Sequence, residues 1–507
     1  MKVIHVLLVA VVLLLGGAEC RRSNHAPVVS GPPVGVGIAI QDTSYLFEVA
    51  ASDENGDRVC CRIDWGDGDT SAWSNLVPSD SPVSFAHSWD SAGAFETRNQ
   101  ARDVQGAMSA WSDPAVVAVR DSHPQLWHVS SYQGFCNPLV LSDGVEDVIY
   151  ECEEGGVWVY AFNGDGSVRY VGHSVDTLNG DGFSTSPVYC AATDHIIIGN
   201  YEGELYAFTR DLRIAWHWPG NSNGQNFDHL DWGTPVVRGN RIYSVRDDGW
   251  GSYRYVCCFQ DLGEQVALAG LDSLAPDDET DQPPAIDADG NIIVASYEGY
   301  VYKFAPDLNS LLWRTYVSDD LLTSPVIGSD GAIYCSASGA EGLYVLDPDG
   351  SLGWTADVEC PGQPVIGESL LFIGGDPSTV YAFSLADGEK VWSASFGVGP
   401  DFLATPVLLS NGVVCFLEDN DDDLYGIRQS DGALLWKTKC GPDSWTRRGR
   451  DLEESYGGPG LARNGDIVVP TSWGLVRVQG YAGTTLAATP WPKWQHDLYN
   501  SGWAGQP

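Results

Sequence analysis

Two groups of acidic residues are the first places in this chain where residue type and spacing could do chemistry. Asp176, Asn179 and Asp181 lie in the segment DTLNGDG, whose side-chain oxygens suggest a calcium loop. An EF-hand loop alternates its oxygen ligands and ends on a distal glutamate, and this segment has neither property. A glycine-rich connection between two strands therefore explains the segment better.

The second acidic group is the run EDNDDD at positions 418–423. Such a run is typical of a solvated hairpin tip, with a contact to cations or to a basic partner as the alternative. Because exposed charges contribute little individually to stability, we predict that replacing Asp419, Asp421, Asp422 and Asp423 by serine changes folding little.

The twelve cysteines show no CxxC spacing of the kind that holds a metal. Neighbouring residues of a strand point to opposite faces, so Cys60-Cys61 and Cys257-Cys258 are expected to separate rather than to bond within each pair. Buried, small hydrophobic positions in second strands are predicted for Cys190, Cys335 and Cys415. The sequence establishes no disulfide framework.

Histidines and aromatic residues offer no stronger constellation. His217, His229 and His496 have no ligand spacing and no paired serine or cysteine nucleophile. Most tryptophans and tyrosines are expected in the core, while rim residues such as Trp250 are available to a ligand. We therefore predict no catalytic residue, no cofactor-binding residue and no metal ligand.

The elements that would position any site recur eight times along the chain. The clearest copy, DQPPAIDADGNIIVASYEGYVYKFAPDLNSLLWRTYV at 281–317, contains four short strands separated by tight turns. Repetition at roughly 40–50 residues is typical of a β-propeller blade. The prolines that begin the copies are Pro138, Pro187, Pro235, Pro284, Pro325, Pro364, Pro406 and Pro459.

Further markers keep the same register. The third strand carries Tyr160, Tyr206, Tyr255, Tyr302, Tyr344, Tyr381 and Tyr425, with Val476 in the eighth copy. The fourth strand carries Tyr170, Trp216, Trp313, Trp354, Trp392 and Trp436. Asp-Gly pairs supply the positive φ that tight hairpins need and begin at Asp289, Asp330, Asp349, Asp387 and Asp431. These markers predict an all-β fold with an eight-bladed propeller over residues 138–490 and a closing segment at 491–507.

Charge excludes one class of partner. The chain has 68 acidic and 27 basic residues, a net charge of -41, whereas nucleic-acid binding needs a basic surface. A solvated acidic surface is the simplest explanation, and salty surroundings or divalent cations are alternatives.

The first twenty residues predict export. An apolar run from Val6 to Leu15 is too short to span a bilayer, and Gly16-x-Ala18 suits signal peptidase cleavage. Cys20 is an alternative site of lipidation, although Glu19 directly before it fits a lipoprotein signal poorly. The expected location is secreted or associated with the cell envelope, in the periplasm, at the outer membrane or at the cell surface.

Residues 26–120 do not follow the blade repeat. The turn Asp64-Trp65-Gly66-Asp67-Gly68 and the later His87–Phe95 stretch resemble the polycystic-kidney-disease (PKD) type of immunoglobulin-like domain. The resemblance implies a seven-stranded β-sandwich that serves as a spacer or adhesive module. We expect Trp65 in its core, with Asp64, Asp67 and Asp69 shaping the turn rather than holding a metal. Residues 121–137 are predicted to be a linker or an entry strand.

The blades resemble the PQQ-like (pyrroloquinoline quinone-like) propeller repeat. Its motifs are matched by EGELYAF at 202–208, EGYVYKF at 298–304 and STVYAFSLADGEKVW at 378–392, and WPKWQHDLYNSG at 491–502 resembles a segment that often flanks such propellers. The resemblance implies either a quinoprotein dehydrogenase with PQQ and calcium at the ring axis, or a non-catalytic docking platform.

The residues favour the docking platform. No segment assembles a carboxylate base with the Glu, Asn and Asp that would hold calcium. Cys257-Cys258 resembles the vicinal disulfide that stacks on PQQ in some dehydrogenases, but the pair lies in the third strand of the third copy, where strand alternation explains it as one core residue and its neighbour. We predict a non-enzymatic scaffold without cofactor, which docks a protein or peptide on the propeller face. A PQQ- and calcium-dependent dehydrogenase and a carbohydrate-binding adhesion protein are the alternatives.

Overall fold

The computed structural model divides the chain into two compact units, Met1–Ser122 and His123–Pro507. The residues it describes are 23–41, 44–90, 92–120, 123, 125–130, 136–153, 155–175, 182–201, 203–219, 233–247, 254–275, 278, 280, 282–319, 322–337, 342–358, 362–375, 379–396, 402, 404–418, 422–441, 458–471, 474–493, 495–497 and 500–502. Within these ranges the secondary structure is β-strand and turn, which confirms the predicted all-β class. No helix among them is long and apolar enough to cross a membrane.

Among its described residues the first unit has eight strands. They are β1 (Val28–Val29), β2 (Ile38–Ile40), β3 (Tyr45–Val49), β4 (Ala51–Ser52), β5 (Val59–Asp64), β6 (Val83–His87), β7 (Gly93–Asp103) and β8 (Ala115–Arg120). One sheet has the order β2-β8-β7-β5, and two further pairs are β3-β6 and β1-β4. β2 runs parallel to β8, and the other pairs are antiparallel.

The sequence pattern around Trp65 acts as expected. Trp65 is buried in the core of the first unit. The turn after it is shaped by aspartate side chains, since the Gly66 N–H donates to Asp64 Oδ1 at 3.1 Å and the Asp69 N–H donates to Asp67 Oδ1 at 2.9 Å.

The second unit contains eight four-stranded antiparallel sheets among its described residues, which we number as blades 1 to 8. The chain enters through β9 (Gln125–Ser130). Blade 1 has β10 (Leu139–Ser142), β11 (Asp147–Cys152), β12 (Trp158–Phe162) and β13 (Val168–His173); blade 2 has β14 (Val188–Cys190), β15 (His195–Gly199), β16 (Leu205–Phe208) and β17 (Ile214–Trp218). Blade 3 has β18 (Val236–Arg238), β19 (Arg241–Asp247), β20 (Arg254–Asp261) and β21 (Val266–Ser273); blade 4 has β22 (Ala285–Ile286), β23 (Ile292–Ala295), β24 (Tyr300–Phe304) and β25 (Leu311–Tyr316).

The remaining blades follow the same plan. Blade 5 has β26 (Val326–Ile327), β27 (Ile333–Ser336), β28 (Leu343–Leu346) and β29 (Leu352–Ala356); blade 6 has β30 (Val365–Ile366), β31 (Leu370–Gly375), β32 (Thr379–Ser384) and β33 (Lys390–Ser395). Blade 7 has β34 (Val407–Leu408), β35 (Val413–Leu417), β36 (Asp423–Arg428) and β37 (Leu434–Lys439); blade 8 has β38 (Gly460–Leu461), β39 (Ile467–Thr471) and β40 (Gly474–Val478). Each first strand begins directly after one of the predicted heading prolines.

Blade 8 is completed by the entry strand. β9 pairs with β40 and supplies the fourth strand of that sheet. Trp127 on β9 therefore occupies the position of the fourth-strand aromatic marker in blade 8. The eighth copy of the repeat has no such marker of its own because this strand precedes Pro138 in the chain. A propeller closed by strands from distant parts of the chain has no open sheet edge at the junction.

The marker tryptophan of one blade contacts the Asp-Gly turn of the next blade. Trp313 of blade 4 donates from Nε1 to Pro348 O at 3.3 Å, and its ring lies against Gly350 in the next blade. Gly350 has φ +87°, and a Cβ there would lie 2.7 Å from the indole, so glycine is required. The same contact joins Trp354 to Gly388, Trp392 to Gly432 and Trp127 to Gly166.

Polar residues directly before the heading prolines link the blades to one another. Gly458 N–H donates to Asn137 Oδ1 at 2.5 Å, and Asn137 N–H donates to Ser186 Oγ at 3.0 Å. Thr405 Oγ1 donates to Gln363 Oε1 at 3.0 Å on blades 7 and 6. These bonds satisfy backbone and side-chain groups that the strands leave unpaired, and they join blade 8 to blade 1.

The C-terminal segment crosses the propeller. Trp491 O accepts from Ile366 N–H of blade 6 at 2.8 Å, whereas Gly502 O accepts from Ile286 N–H of blade 4 at 2.7 Å. Lys493 is buried in this segment, and burial lowers its pKa to about 7. The first strands of blades 4 and 6 are thereby tied to one segment.

Candidate functional site

A cavity of about 380 Å³ lies where blade 8 meets blade 1, and we call it the closing groove. It opens on the face that carries the turns between first and second strands and between third and fourth strands. Its lining comes from three turns and from β40: Ser142, Val145, Glu146, Asp147, Gly164, Arg463, Asn464 and Arg477.

Arg477 forms the floor of the closing groove. It is buried on β40, where its Nε donates to Asp466 Oδ2 at 2.9 Å and its Nη1 donates to Gly164 O of blade 1 at 2.7 Å. Trp127 Nε1 donates to the same carbonyl oxygen at 2.9 Å. The two strands that meet without a covalent turn, β40 and β9, are thus anchored on one atom of blade 1.

One wall of the groove combines a fixed carboxylate with an exposed cation. Asp147 is buried and accepts from the Arg463 N–H at 2.9 Å through Oδ2. The Arg463 side chain is 68% exposed, with Nε 4.0 Å from Asp147 Oδ1, so its guanidinium faces solvent. Val145 at the mouth is 94% exposed. The groove therefore offers guanidinium donors beside an apolar side chain.

The turn that carries Val145 is held in place by Asp143. Its Oδ1 accepts from the Glu146 N–H at 2.9 Å and from the Val145 N–H at 2.8 Å, while Arg169 lies 2.7 Å from Oδ2. These backbone hydrogen bonds, together with Arg169, lower the pKa of Asp143 to about 2. The carboxylate stays ionised at physiological pH, which preserves the turn that presents Val145.

The histidines singled out in the sequence lie apart from the closing groove. His217 stands in blade 2, where Nε2 is 3.1 Å from Glu204 Oε1 and the ring stacks on Tyr206. His496 lies in the C-terminal segment against Trp491. Among described residues no group of three His, Cys, Asp or Glu side chains is placed to hold a metal. His229, Trp250, Cys20 and the segment 176–181 lie outside the described residues.

The adjacent cysteines separate as predicted. Cys257 packs into the core shared with blade 2, and Cys258 packs into the core shared with blade 4. Cys335 and Cys415 are buried in second strands, as expected, and burial raises the pKa of Cys335 to about 12. Cys190 is also buried, but it lies in the first strand β14 rather than in a second strand.

The prediction of a solvated acidic tip is wrong for the described part of that run. Glu418, Asp422 and Asp423 are buried, and Asp423 Oδ2 lies 2.6 Å from Lys437 Nζ on the neighbouring strand. Burial of the ammonium opposes the charged form, yet the hydrogen bond and charge of Asp423 raise the pKa of Lys437. Positions 419–421 lie outside the described residues.

Sequence reasoning missed the residues of the closing groove. Arg477 is a cation inside the apolar strand GLVRV, and that interruption was the available signal. Val145 and Arg463 carry no such signal, because their exposure depends on two turns more than 300 residues apart.

Comparison with known proteins agrees with the fold. A family model described as outer membrane protein assembly factor BamB matches residues 260–376 and, a second time, residues 339–458. These matches run from the end of blade 3 through blade 7 and cover less than half of the chain. The predicted PQQ-like repeats are thereby confirmed for residues 260–458, whereas the PKD resemblance of residues 26–120 stays a prediction.

Individual relatives carry the same description. The outer membrane protein assembly factor BamB of Yersinia pestis is 27% identical over 243 residues, which are 44% of this chain and 59% of that protein. The BamB of Burkholderia pseudomallei (strain K96243) is 33% identical over 104 residues, 20% of this chain and 27% of that protein. The chain thus matches less than two thirds of the length of either relative.

A solved structure supports the architecture. The crystal structure of BamB from Moraxella catarrhalis aligns with a TM-score of 0.53 at 13% identity, covering 71% of this chain and 100% of that chain. At this identity the likeness shows the propeller fold alone.

Proposed function

We propose that this chain is a non-catalytic, exported scaffold of the cell envelope, whose propeller docks a protein partner at the closing groove. The observation that carries the proposal is the match of blades 4 to 7 to an assembly-factor family model. The proposal assigns no catalytic residue and no cofactor. Export directed by residues 1–20 is part of it, with Cys20 as the alternative lipid anchor.

The geometry of the groove supports docking of an extended peptide segment. Arg463 offers planar donors that fit a carboxylate or a backbone carbonyl, and Val145 beside it offers apolar area. Carboxylates bonded to backbone N–H groups, Asp147 below Arg463 and Asp143 below Val145, keep the two turns in place, so little ordering entropy is lost on binding. The fitting partner segment carries an acidic side chain next to an apolar one.

Site-specific photo-crosslinking tests this docking surface. A benzophenone amino acid at position 145 should crosslink one partner in envelope extract, and Arg463→Glu in the same chain should abolish that product by charge repulsion. The matched control is the same probe at Val391, which is 51% exposed on the outer strand of blade 6. Equal crosslinking at both positions, or no effect of Arg463→Glu, would contradict docking at the groove.

Two further measurements test the other parts of the proposal. Addition of PQQ and calcium to the purified protein should give neither stoichiometric uptake nor dye-linked alcohol oxidation, and turnover would establish the dehydrogenase alternative. Labelled palmitate that is incorporated into the wild type but not into Cys20→Ser would establish the alternative, a lipid anchor at Cys20.

A further inference from the structure

The outward face of the β5-β7 sheet in the first unit carries a stack of alternating cations and indoles. Strand alternation places Ile63 and Ala101 in the core and leaves Arg62 and Arg102 on the opposite face. Trp73 and Trp111 flank these arginines. We call the four outward residues, in the order Trp111, Arg62, Trp73 and Arg102, the arginine–tryptophan ladder.

Two copies of the tetrapeptide SAWS hold the indoles in place, one at 71–74 and one at 109–112. In each copy the first and last serine bond a strand through both backbone and hydroxyl. The backbone N–H donors and their acceptors are Ser71 to Ile63 O at 2.8 Å, Ser74 to Cys61 O at 2.8 Å, Ser109 to Ala101 O at 2.9 Å and Ser112 to Asn99 O at 2.9 Å. The hydroxyl oxygens accept from the N–H groups of the same four strand residues. Each tryptophan is therefore projected from a segment fixed at both ends.

The ladder orients its guanidinium groups. Arg62 Cζ lies 4.7 Å from the ring centre of Trp73 and 5.0 Å from that of Trp111, and Arg102 Cζ lies 4.6 Å from Trp73. These are cation–π distances, so the guanidinium carbon of each arginine lies over an indole ring. Trp111 remains 37% exposed at the end of the stack.

The charges of the ladder are not neutralised within the described residues. Arg62 donates from Nε and Nη2 to the neutral Gln100 Oε1, at 3.2 and 2.8 Å, and neither it nor Arg102 forms an ion pair there. Arg98 on the same face is different, because it pairs with Glu96 at 2.8 Å. Two adjacent, unpaired arginines are unexpected in a chain with 68 acidic and 27 basic residues, where carboxylates are abundant.

From this arrangement we infer that the ladder is a binding site for acidic sugar residues of the uronate type. The carboxylate of a uronate can accept two parallel hydrogen bonds from a guanidinium edge, which lysine cannot offer. The C–H face of a pyranose ring packs on a flat indole such as the exposed Trp111. An acidic peptide would satisfy the charge but would leave the rigid aromatic planes unused. The negative charge of the rest of the chain favours short oligomers over long polyanions.

Titration calorimetry on the full chain with trigalacturonate at low ionic strength tests the inference. The wild type should bind, and affinity should fall with added salt because the contact is ionic. Arg102→Gln should weaken binding by about tenfold, the loss expected for one charge-assisted hydrogen-bonded contact. Arg98→Gln is the matched control on the same face, and its affinity should stay within about twofold because it removes no ladder contact.

Further variants separate the site from a purely structural stack. Arg102→Lys keeps the charge and should still lose most of the affinity, while Trp111→Ala should weaken binding with thermal unfolding little changed. Maltotriose, which is neutral, should not bind. Retained affinity in both Arg102 variants, or equal binding of maltotriose, would overturn the inference. Tighter binding of hexaglutamate than of trigalacturonate would assign the face to acidic peptides instead. Arg463→Glu should leave the titration unchanged, so the outcome is independent of the docking proposal.

Discussion

Blade 4 and blade 8 make the same contact with the next blade, but with different cations and different chain connections. In blade 4, Lys303 and Trp313 both donate to Pro348 O, at 3.2 and 3.3 Å. In blade 8, Arg477 and Trp127 both donate to Gly164 O, at 2.7 and 2.9 Å. Third and fourth strands share the register shift at this position in both blades. Strand pairing is thus set by packing and not by the turn that blade 8 lacks.

The cation differs where the connection differs. Lys303 Nζ has one carboxylate partner, Asp287 at 2.9 Å, in addition to the shared carbonyl. Arg477 bonds Asp466 at 2.9 Å and reaches Asn464 Oδ1 at 3.1 Å as well. Blade 8, whose third and fourth strands are not joined by a turn, therefore has arginine at this position. Arginine offers more hydrogen-bond donors than lysine, in a planar arrangement.

Removing the cation should have the largest effect on this comparison. Arg477→Met leaves the buried Asp466 carboxylate without its counter-ion, so we expect the free energy of unfolding to fall by about 3–5 kcal/mol in urea titrations. The matched Lys303→Met also leaves a buried carboxylate, Asp287, unpaired, but it removes fewer hydrogen bonds than Arg477→Met and should cost less, about 3 kcal/mol. Equal losses in the two variants would show that the composite blade has no special dependence on its cation.

The tryptophans test the same junctions with a smaller effect. Trp127→Ala and Trp313→Ala each remove a partly buried indole and one hydrogen bond, and each should cost about 2–3 kcal/mol. Their consequences for hydrogen exchange should differ. Trp127→Ala should raise amide exchange in both β9 and β40, whereas Trp313→Ala should affect β25 alone. Protection of β40 in the Trp127 variant would contradict this view of the closure.

The free energy of unfolding should vary with pH because of His123, which lies beside the junction of blades 7 and 8. Its ring lies 4.1 Å from Trp436 of blade 7 and 4.6 Å from Tyr481, and its Nδ1 lies 2.7 Å from Gln479 O. Burial lowers the pKa of His123 from 6.5 to about 4. Between these pH values the unfolded chain binds a proton that the folded chain does not, so stability falls as pH is lowered through that window.

The expected size of this pH effect is up to about 3 kcal/mol between pH 6.5 and pH 4. His123→Phe should remove that part of the slope, which is measured as the difference between wild-type and variant unfolding curves at each pH. Parallel curves for the two proteins would mean that the folded chain accepts the proton without cost.

The smallest expected effect lies in an ordinary contiguous blade. Asp423→Ser should destabilise blade 7 by about 1 kcal/mol, because it removes the ion pair with the half-exposed Lys437. Arg428→Gln is the control, since Arg428 and its partner Asp431 are both exposed and the turn bond from the Ala433 N–H to Asp431 is kept, and it should stay within about 0.5 kcal/mol. Thermal unfolding of both variants distinguishes these outcomes. An unchanged unfolding temperature for Asp423→Ser would instead support the prediction of a solvated tip.

The repeating part of the fold could be predicted because its markers act locally. An Asp-Gly turn, a heading proline and strand alternation at Cys257-Cys258 each follow from the conformation of a few consecutive residues. The contact of Trp313 with Gly350 then repeats at blade spacing, so the pattern is visible in the sequence.

The closure could not be predicted from such local rules. Trp127 has the right residue type, but it precedes the repeat, and nothing near it reveals that its partner strand is β40. Burial of Asp423 depends on Lys437, which a run of like charges does not indicate. The arginine–tryptophan ladder likewise depends on two distant SAWS segments flanking paired strands.

Because β9 pairs with β40, blade 8 can be completed only after β40 has been synthesised. β40 ends about 350 residues after β9, so at roughly 5–20 residues per second β9 waits about 20 to 70 s for its partner during synthesis. Throughout that interval the backbone groups of β9 lack their pairing with β40, which is a hazard for association with other chains. The short length of β9 and its alternation of polar and apolar residues limit that hazard until the last blade is made.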